Sequence, residues 1–462
     1  MPAIITKDFR IQNANQFSES FSESADTYYL AIGRPQAFAN DQAFNDGTDT
    51  SPPTPVDSVG SVDYYVYDDL LSAKKISSSN VSAVIPRRNW TTGTTYDYYR
   101  HDYGEINSAG STIAANSGAT TLHDATFYVM NSTFDVYKVI DNNGDSASTV
   151  EPTGNKSTSV FSTRDSYKWK YMYSLSASEQ ANFLSTDFMH VSTESTDYST
   201  TAGAIENAKV TAGGSGGTNG TYTNVDIRGD GSSGKATVVV SSNAVTSVTI
   251  TTAGSGYTYA SILASAIGGV SGADIDFIIS PPGGHASDAV AELGGFFVMM
   301  NVDFATSESG EFNTSNDFRR IALLRNPTDS TTGSTATAST LDATKSITFS
   351  GTPGSFQADE KITQASSGAV GFVVDFNSTT KVLRYIQPQF TNQGVDSNGN
   401  LTAFSSTNTV TGATSGATGT PSSHDITPEL TADSGDILYI ENRKPISRAS
   451  DQTENVKLIV EF

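Results

Sequence analysis

The sequence predicts a mainly β, multi-domain protein with minor helical content (α+β minor). A chain of 462 residues is too long for one ordinary domain, so several are expected. Only 36% of its residues are hydrophobic and 16% are charged, which differs from the charge-rich composition of disordered chains. Short runs such as "TFYVM", "FDVYKVI" and "YKWKYMYSL" alternate with turn clusters such as "DNNGD". This alternation is typical of short strands joined by turns, and the 20 Tyr and 23 Phe are enough to fill their cores.

Three segments carry helical signals. Near the start of the chain, apolar residues recur at the spacing of one helix face: Ile11, Ala14, Phe17 and Phe21. "SASEQANFL" contains a capping box, in which Ser176 caps the helix and Glu179 reaches back. We also expect "VDYYVYDDLLSAKKI" to pass from a strand into a short helix.

Extended structure is predicted on either side of these helices. "TYYLAIGRP" is typical of a buried strand that stops at Gly33 and Pro35. "AVIPRRNW" should also be extended, because the residue before a proline avoids the α region. The final stretch, "DILYIENRKPISRASDQTENVKLIVEF", predicts a strand, a loop and a second strand tied into a sheet.

Two Gly/Ser/Thr-rich modules interrupt this pattern. In the first, at about residues 210–278, "VTAGGSGGTNGTYTNVDI" and "ITTAGSGYTYASIL" look like two copies of a β-turn-β unit around Gly-Ser-Gly. In the second, at about residues 339–421, "FQADEKITQASSGAVG" and "FSSTNTVTGATSGATG" repeat in register from Phe356 and Phe404. Such a repeat predicts a small barrel or sandwich that decorates the main core.

The charge balance limits the possible functions. With 27 Lys+Arg against 49 Asp+Glu, the net charge of −22 argues against nonspecific nucleic-acid binding. The chain has no cysteine, and no apolar run is long enough for a membrane-spanning helix. The start, "MPAIITKDFR", lacks the pattern of a secretory signal, so we expect assembly in a host cytoplasm.

None of the sequence motifs that resemble known catalytic or ligand-binding motifs is complete. "GDGSSGKAT" nearly fits a phosphate-binding loop, but Ala236 replaces the Mg²⁺-binding hydroxyl and a strand follows it instead of a helix. The five histidines show no zinc spacing, and "DNNGD" and "DSNGN" lack the glutamate that closes a calcium loop. No pair among the 49 carboxylates stands out. We therefore assign no catalytic, cofactor-binding or metal-binding residue.

Adjacent arginines in an acidic chain need a separate explanation. Arg87 and Arg88 lie between Pro86 and Trp90, one of two tryptophans. They could form an anion site, act as an active-site electrophile, or make fixed structural contacts. Because acidic groups are in excess, we favour clamping of carboxylates, in this chain or in a neighbouring one. Other arginines also lie outside the modules, including Arg34 and Arg319.

Several blocks resemble one family in the same order. "AVIPRRNW" resembles the Ala-Val-Ile-Pro-Arg-Arg-Asp-Trp segment of the gene product eight family, a baseplate wedge subunit of T-even-type contractile-tailed phages, with Asn89 in place of Asp. Similar blocks are "FRIQNANQFSESF", "YYLAIGRP", "SPPTPVDSV", "YKWKYMYSL", "DFRRIALLRNP" and "YIENRKPISRASDQTENVKLIVEF". Together they cover roughly half of the chain; the two modules are departures from the family pattern.

The resemblance implies a discontinuous core domain with a second β domain inserted into it. We place the core at residues 1–90, 290–335 and 425–462, the inserted domain at 91–289, and the repeat module at 339–421. It also implies a homodimer in the virion tail baseplate, other wedge subunits as partners, and no cofactor. Candidate structural or interface residues are Pro86, Arg87, Arg88, Trp90, Arg34, Arg319, Glu441, Asn442, Arg443 and Asp451.

Two alternatives come from other functional classes. A tail-associated polysaccharide-degrading enzyme would use the excess carboxylates. A glycan-binding adhesin would use the Tyr and Gly of the repeats. A glycan-release assay and a glycan array separate them from a structural wedge subunit.

Overall fold

The chain forms two compact units, each built from discontinuous segments. The computed structural model describes residues 6–38, 47–55, 66–107, 110–191, 198–308, 312–388, 394–398, 400–425 and 427–462. Unit 1 comprises residues 1–16, 82–299 and 459–462, and unit 2 comprises residues 17–81 and 300–458. We keep the predicted domain boundaries as a prediction, because compactness alone does not show which parts fold independently.

The predicted mainly β fold is confirmed. The described part of the chain contains 29 strands and three short helices. The helices are α1 (Lys7–Ser20), α2 (Ala177–Phe183) and α3 (Ala289–Leu293). The first eight strands are β1 (Tyr28–Gly33), β2 (Leu70–Ile76), β3 (Val81–Pro86), β4 (Tyr128–Met130), β5 (Asp135–Asp141), β6 (Phe161–Ser162), β7 (Lys168–Ser174) and β8 (Phe188–His190).

The remaining strands continue in chain order. Those of the middle region are β9 (Ile205–Ser215), β10 (Gly220–Asp226), β11 (Arg228–Gly229), β12 (Lys235–Ser241), β13 (Ala244–Thr252), β14 (Ala260–Ser261), β15 (Ser271–Ile279) and β16 (Phe297–Ala305). The rest are β17 (Phe318–Arg325), β18 (Thr328–Asp329), β19 (Ser334–Thr335), β20 (Thr340–Asp342), β21 (Lys345–Phe349), β22 (Lys361–Gln364), β23 (Ala369–Asn377), β24 (Val382–Ile386), β25 (Val410–Gly412), β26 (Thr418–Gly419), β27 (Pro421–Asp425), β28 (Asp436–Ile446) and β29 (Thr453–Glu461).

Unit 1 is built around a four-stranded antiparallel sheet in the order β4-β5-β7-β6. Its central strands β5 and β7 are buried along almost their whole length, and Trp169 and Tyr137 are fully enclosed. The predicted capping box of α2 is confirmed, since Glu179 N donates to Ser176 Oγ (3.3 Å) and Ser176 N donates to Glu179 Oε2 (2.7 Å). The strands predicted from "TFYVM", "FDVYKVI" and "YKWKYMYSL" are confirmed as well.

The Gly-rich part of unit 1 shows the predicted repeat in its backbone. Both Gly-Ser-Gly segments have both glycines at positive φ, with 68° and 75° in residues 214–216 and 67° and 73° in residues 254–256. This left-handed conformation is accessible to glycine at little cost, which explains the repeated composition. Neither segment is the predicted turn, because residues 214 and 215 end strand β9 and Ser255 forms an isolated bridge with Ser232. Tyr257, which follows the second segment, is buried, and its hydroxyl donates to Ile227 O (3.1 Å). The near-phosphate loop leads into strand β12, as predicted.

Unit 2 contains a five-stranded antiparallel sheet in the order β20-β2-β1-β17-β28. The buried strand predicted from "TYYLAIGRP" is its centre, β1. The short helix predicted at the end of "VDYYVYDDLLSAKKI" is wrong: after a single 3-10 turn, Leu70–Ile76 forms strand β2. Pairing with β1 on one side and β20 on the other overrides the local helical preference. Residues 62–65 of that prediction, and residues 56–59 of the block "SPPTPVDSV", lie outside the described residues.

Seven further strands of unit 2 form one sheet, in the order β26-β25-β22-β23-β24-β21-β27. Its two end strands, β26 and β27, are separated in the chain by Thr420 alone. The sheet therefore bends back far enough to bring the end of β26 next to the start of β27, and we call this curled sheet the barrel. Ile347, Phe349, Phe356 and other apolar side chains fill its core.

The sequence repeat in this barrel corresponds to two equivalent hairpins. Ile362 pairs with Gly371 in the first hairpin, and Val410 pairs with Gly419 at the same positions of the second. Strands β22 and β25 also pair with each other, with Thr363 opposite Thr411, its counterpart in the repeat. The two hairpins are therefore related by a local twofold axis that passes between these two threonines.

Removal of the barrel tests whether it decorates unit 2. Ser346 and Asp425 are direct partners on adjacent strands, so a short Gly/Ser linker can replace residues 345–425. We expect a folded variant that is less stable, because it loses the ion pair of Asp342 with Arg384 and the hydrogen bond of Asn316 to Asp359 (2.7 Å), each contributing about 1 kcal/mol. Circular dichroism and urea unfolding measure this. An unfolded variant would show that the barrel is part of the essential core.

Candidate functional site

Arg87 is held by loop carbonyls after the end of strand β3. Its guanidinium Nη1 donates to Ser185 O (2.7 Å) and its Nε donates to Asn89 Oδ1 (3.1 Å). Its backbone N–H donates to Asp187 O (2.7 Å), which prolongs the pairing of β3 with β8. The side chain therefore closes the loop of residues 184–187 onto the strand end.

Arg88 is fixed on the other side of the same segment. Its guanidinium donates to the carbonyl oxygens of Ala125 and His123, the latter at 3.2 Å, and lies 4.6 Å from the centre of the Tyr128 ring. The Tyr128 hydroxyl donates to Pro86 O (2.8 Å). Burial raises the pKa of Tyr128, so this hydroxyl remains a donor at neutral pH. Proline, arginine and tyrosine thus form one packed contact.

Trp90 completes the anchoring of the segment. Its indole Nε1 donates to Ser148 Oγ (3.1 Å), and its backbone N–H donates to Met130 O (2.9 Å). Met130 N in turn donates to Arg88 O (2.7 Å). The segment therefore runs alongside strand β4, as the prediction of an extended conformation requires.

These contacts correct the expectation that Arg87 and Arg88 bind carboxylates of the same chain. Both guanidinium groups bind main-chain or amide oxygens, and neither forms an ion pair with a carboxylate in the part of the chain that the structure describes. Carbonyl groups at the loop ends satisfy guanidinium donors as well as carboxylates do, without a second charge. Clamping of a carboxylate in a neighbouring chain stays a prediction.

In unit 2, a buried carboxylate binds two of the other arginines. Asp69 accepts from Arg320 Nη1 at 2.8 Å and 2.9 Å, and its Oδ2 lies 3.7 Å from Arg34 Nη1. Asp69 and Arg34 are each 2% exposed. Arg34 also donates to Gln36 O (3.1 Å) and Ala37 O (3.3 Å). Here the predicted pairing of arginine with carboxylate within the chain does occur.

Asn442 extends this cluster to the surface. Arg320 Nε donates to Asn442 Oδ1 (3.0 Å), and Asn442 Nδ2 donates to Pro53 O (3.1 Å). Arg319 makes a separate bidentate contact, with both its Nε and its Nη2 at 3.0 Å from the Asp49 carboxylate. The hydrogen bond from Arg319 holds the pKa of Asp49 below its ordinary value. The carboxylates that bind Arg320 and Arg319 lie 251 and 270 positions away in the chain.

The other candidates lie at the surface, where Arg443 and Asp451 are exposed and Glu441 is half-buried. Arg443 Nε lies 2.8 Å from Glu441 Oε1 on the surface of strand β28. Asp451 lies in the exposed turn between β28 and β29. The structure therefore brings Arg34, Arg320 and Asn442 together in unit 2, and Pro86, Arg87, Arg88 and Trp90 together in unit 1.

A buried ionic cluster in unit 1 was missed by the sequence analysis. Lys138, on β5, forms an ion pair with Glu292, and both are buried. Glu292 also accepts from Ala286 N (3.1 Å) and Ser287 N (3.0 Å). Lys170 lies opposite Lys138 on β7 and is fully buried. The signal in the sequence was a lysine at an interior position of each of two otherwise apolar strands.

A cavity of about 680 Å³ lies above this cluster in unit 1. Tyr99 and Glu292 line its inner part, and the exposed residues Asp8, His101 and Asp288 lie at its opening. No group of three or more potential metal ligands occurs among the described residues. Among the helices of the described residues, none is long and apolar enough to cross a membrane.

Lys170 gives unit 1 a testable pH dependence. Burial, followed by the charge of Lys138, lowers the pKa of Lys170 to about 8. Between pH 8 and the ordinary value near 10.5, the unfolded chain holds a proton that the folded chain has released, so stability rises with pH. We expect the free energy of unfolding of the wild type to gain roughly 1–3 kcal/mol relative to Lys170→Met between pH 7.5 and 10.5.

Urea unfolding at the two pH values measures this gain. The control is Lys156→Met, because Lys156 is exposed and its hydrogen bond to Asp135 raises its pKa. The difference in the free energy of unfolding between Lys156→Met and the wild type should therefore stay nearly constant over the same pH range. If the difference in the free energy of unfolding between Lys170→Met and the wild type does not change with pH, Lys170 does not have a lowered pKa in the folded protein.

A comparison with protein families found a match for the N-terminal part of the chain. Residues 3–147 match a family model for phage Gp8, described as bacteriophage T4, Gp8. No curated protein matches the chain. The match includes Arg34 and the segment from Pro86 to Trp90, whereas Arg319 and the residues of β28 lie outside it. The resemblance predicted from the sequence is therefore confirmed for the N-terminal part of the chain, which carries the pattern of the bacteriophage T4 Gp8 family.

Proposed function

We propose that this chain is a structural subunit of the baseplate wedge of a contractile phage tail. The match of residues 3–147 to the Gp8 family is the observation that carries the proposal, because it supports a phage baseplate structural protein. In this role the chain forms a homodimer, binds other wedge subunits and rearranges with them when the tail contracts. It is located in the tail baseplate of the virion after assembly in the host cytoplasm.

The geometry of the arginines supports a structural role over an enzymatic one. Arg88 and Arg320 have their donors engaged by carbonyl, amide or carboxylate oxygens of the chain itself. An electrophilic or anion-binding arginine would instead direct its donors toward a space that a substrate can enter. These side chains fix loops and strands, which is what a subunit under mechanical load requires.

Co-expression with the tail proteins encoded next to this chain tests the proposal. We expect a complex that co-elutes in size-exclusion chromatography, with two copies of this chain by mass measurement. A chain that stays monomeric and binds none of these proteins would overturn the wedge assignment. If the chain forms a dimer but binds none of these proteins, only the proposed binding to other wedge subunits is contradicted.

Glycan binding is a second candidate, favoured by the cavity in unit 1. Its lining combines tyrosine rings with carboxylates, a combination suited to hydroxyl-rich ligands. A glycan array with the wild type and Tyr99→Ala tests it, and a glycan-release assay with the same protein tests polysaccharide degradation. Specific array signals that the variant loses would favour an adhesin, and product release would favour an enzyme.

A further inference from the structure

Lys138 is a fully buried amine with few hydrogen-bond partners. In the described part of the chain, Glu292 of α3 is the one residue that accepts a hydrogen bond from its Nζ. A lysine ammonium has three donors, and a buried donor without an acceptor is destabilised. The Tyr99 ring, whose centre lies 4.6 Å from Nζ, offers a cation–π contact but no lone pair. Burial lowers the pKa of Lys138, which favours the neutral amine, a nucleophile.

The carboxyl group of Glu292 is held by the backbone that precedes α3. Its Oε1 accepts from Ser287 N (3.0 Å) and Asp288 N (3.3 Å). Its Oε2 accepts from Ala286 N (3.1 Å) and is in contact with Lys138 Nζ. N–H groups that point at a carboxyl oxygen stabilise the negative charge that it carries when a nucleophile adds to the carbon. The carboxyl group is therefore fixed in place for addition of the amine.

The cavity of about 680 Å³ in unit 1 gives a departing water molecule a way out. Glu292 and Tyr99 line its inner part, and exposed residues lie at its opening. Lys138 itself is enclosed and does not line the cavity. Two buried ions in such surroundings tend to neutralise each other by proton transfer, which leaves an amine beside a carboxylic acid.

We propose that Lys138 and Glu292 are joined by an amide bond between Nζ and Cδ, which the folded chain forms without a further reactant. The Nζ–Cδ bond forms with the lone pair of the amine, and the Cδ–Oε2 bond breaks with its electron pair on the oxygen. Oε2 leaves as water with two protons from the Lys138 ammonium, so atoms and charge balance. Groups fixed in contact react at an effective concentration of roughly 10⁵ M or more, which favours this condensation.

The amide bond ties strand β5 to helix α3, whose linked residues are 154 positions apart in the chain. The loop that it closes contains strands β9 to β15 and thus the whole Gly-rich module. This inference goes beyond the proposed function, because the bond is a property of the single chain in any assembly. The pH dependence predicted for Lys170 is still expected, since burial is the largest cause of its lowered pKa.

Mass spectrometry of the denatured full-length chain tests the proposal. We expect a main species lighter than the mass of the amino-acid sequence by one water, about 18 Da, and a pair of tryptic peptides linked through Lys138 and Glu292. A main species at the full mass would overturn the proposal. A loss of water that maps to Asp230 would overturn it too, because the Asp-Gly sequence at residues 230–231 loses the same mass by forming a succinimide.

The pair of Lys74 and Glu308 in unit 2 is an internal control. Lys74 Nζ lies 2.7 Å from Glu308 Oε1, but the two side chains are 25% and 17% exposed. Lys74 also donates to Asp303 O (2.5 Å), so its ammonium has a second acceptor. We expect no linked peptides from this pair. Linkage of both pairs would contradict the argument that complete burial selects Lys138.

Substitution of the lysine gives a second measurement. In a denaturing gel, a chain with about a third of its length closed into a loop is more compact than an open chain and migrates faster. We expect Lys138→Met to migrate more slowly than the wild type, and Lys74→Met to migrate with it. The comparison does not require either variant to fold. Equal mobility of Lys138→Met and the wild type would contradict the amide bond.

Discussion

The Asp69 carboxylate is the constraint on which the architecture of unit 2 depends. It is buried and binds Arg320 of β17 and Arg34 at the end of β1, so it couples the two central strands of the sheet to the turn before β2. Removing one partner from such a cluster leaves a buried charge unpaired, which costs far more than an exposed ion pair contributes. Through Asn442 the same cluster is also hydrogen-bonded to the backbone carbonyl of Pro53.

Unit 1 uses arginine differently. Arg87 and Arg88 close two loops by binding carbonyl oxygens, and the Tyr128 ring covers the second guanidinium. Carbonyl groups carry no net charge, so these contacts need no second buried ion. The adjacent arginines that first suggested an anion site are therefore fixed structural contacts in this chain.

The sequence predicted features that depend on neighbours in the chain. The helix near Ile11, the capping box at Ser176 and the repeated positive φ angles of the Gly-Ser-Gly segments follow from local spacing and backbone freedom. Pairing between strands or side chains that are far apart in the chain could not be predicted from the sequence. Leu70–Ile76 is a strand because two other strands enclose it, and Asp69 and Arg320 are 251 positions apart. The carbonyl partners of Arg88 could not be predicted either, because every residue carries a carbonyl group and only the fold selects one.

The free energy of unfolding of Asp69→Asn tests this central role most directly. Asp436→Asn is the matched control, because Asp436 pairs with Arg325 at 2.7 Å on the exposed surface of the same unit. The account predicts a loss of about 3–5 kcal/mol for Asp69→Asn and of less than about 1 kcal/mol for the control. Equal, small losses for the two variants would contradict it and would show that the sheet of unit 2 is held by apolar packing alone.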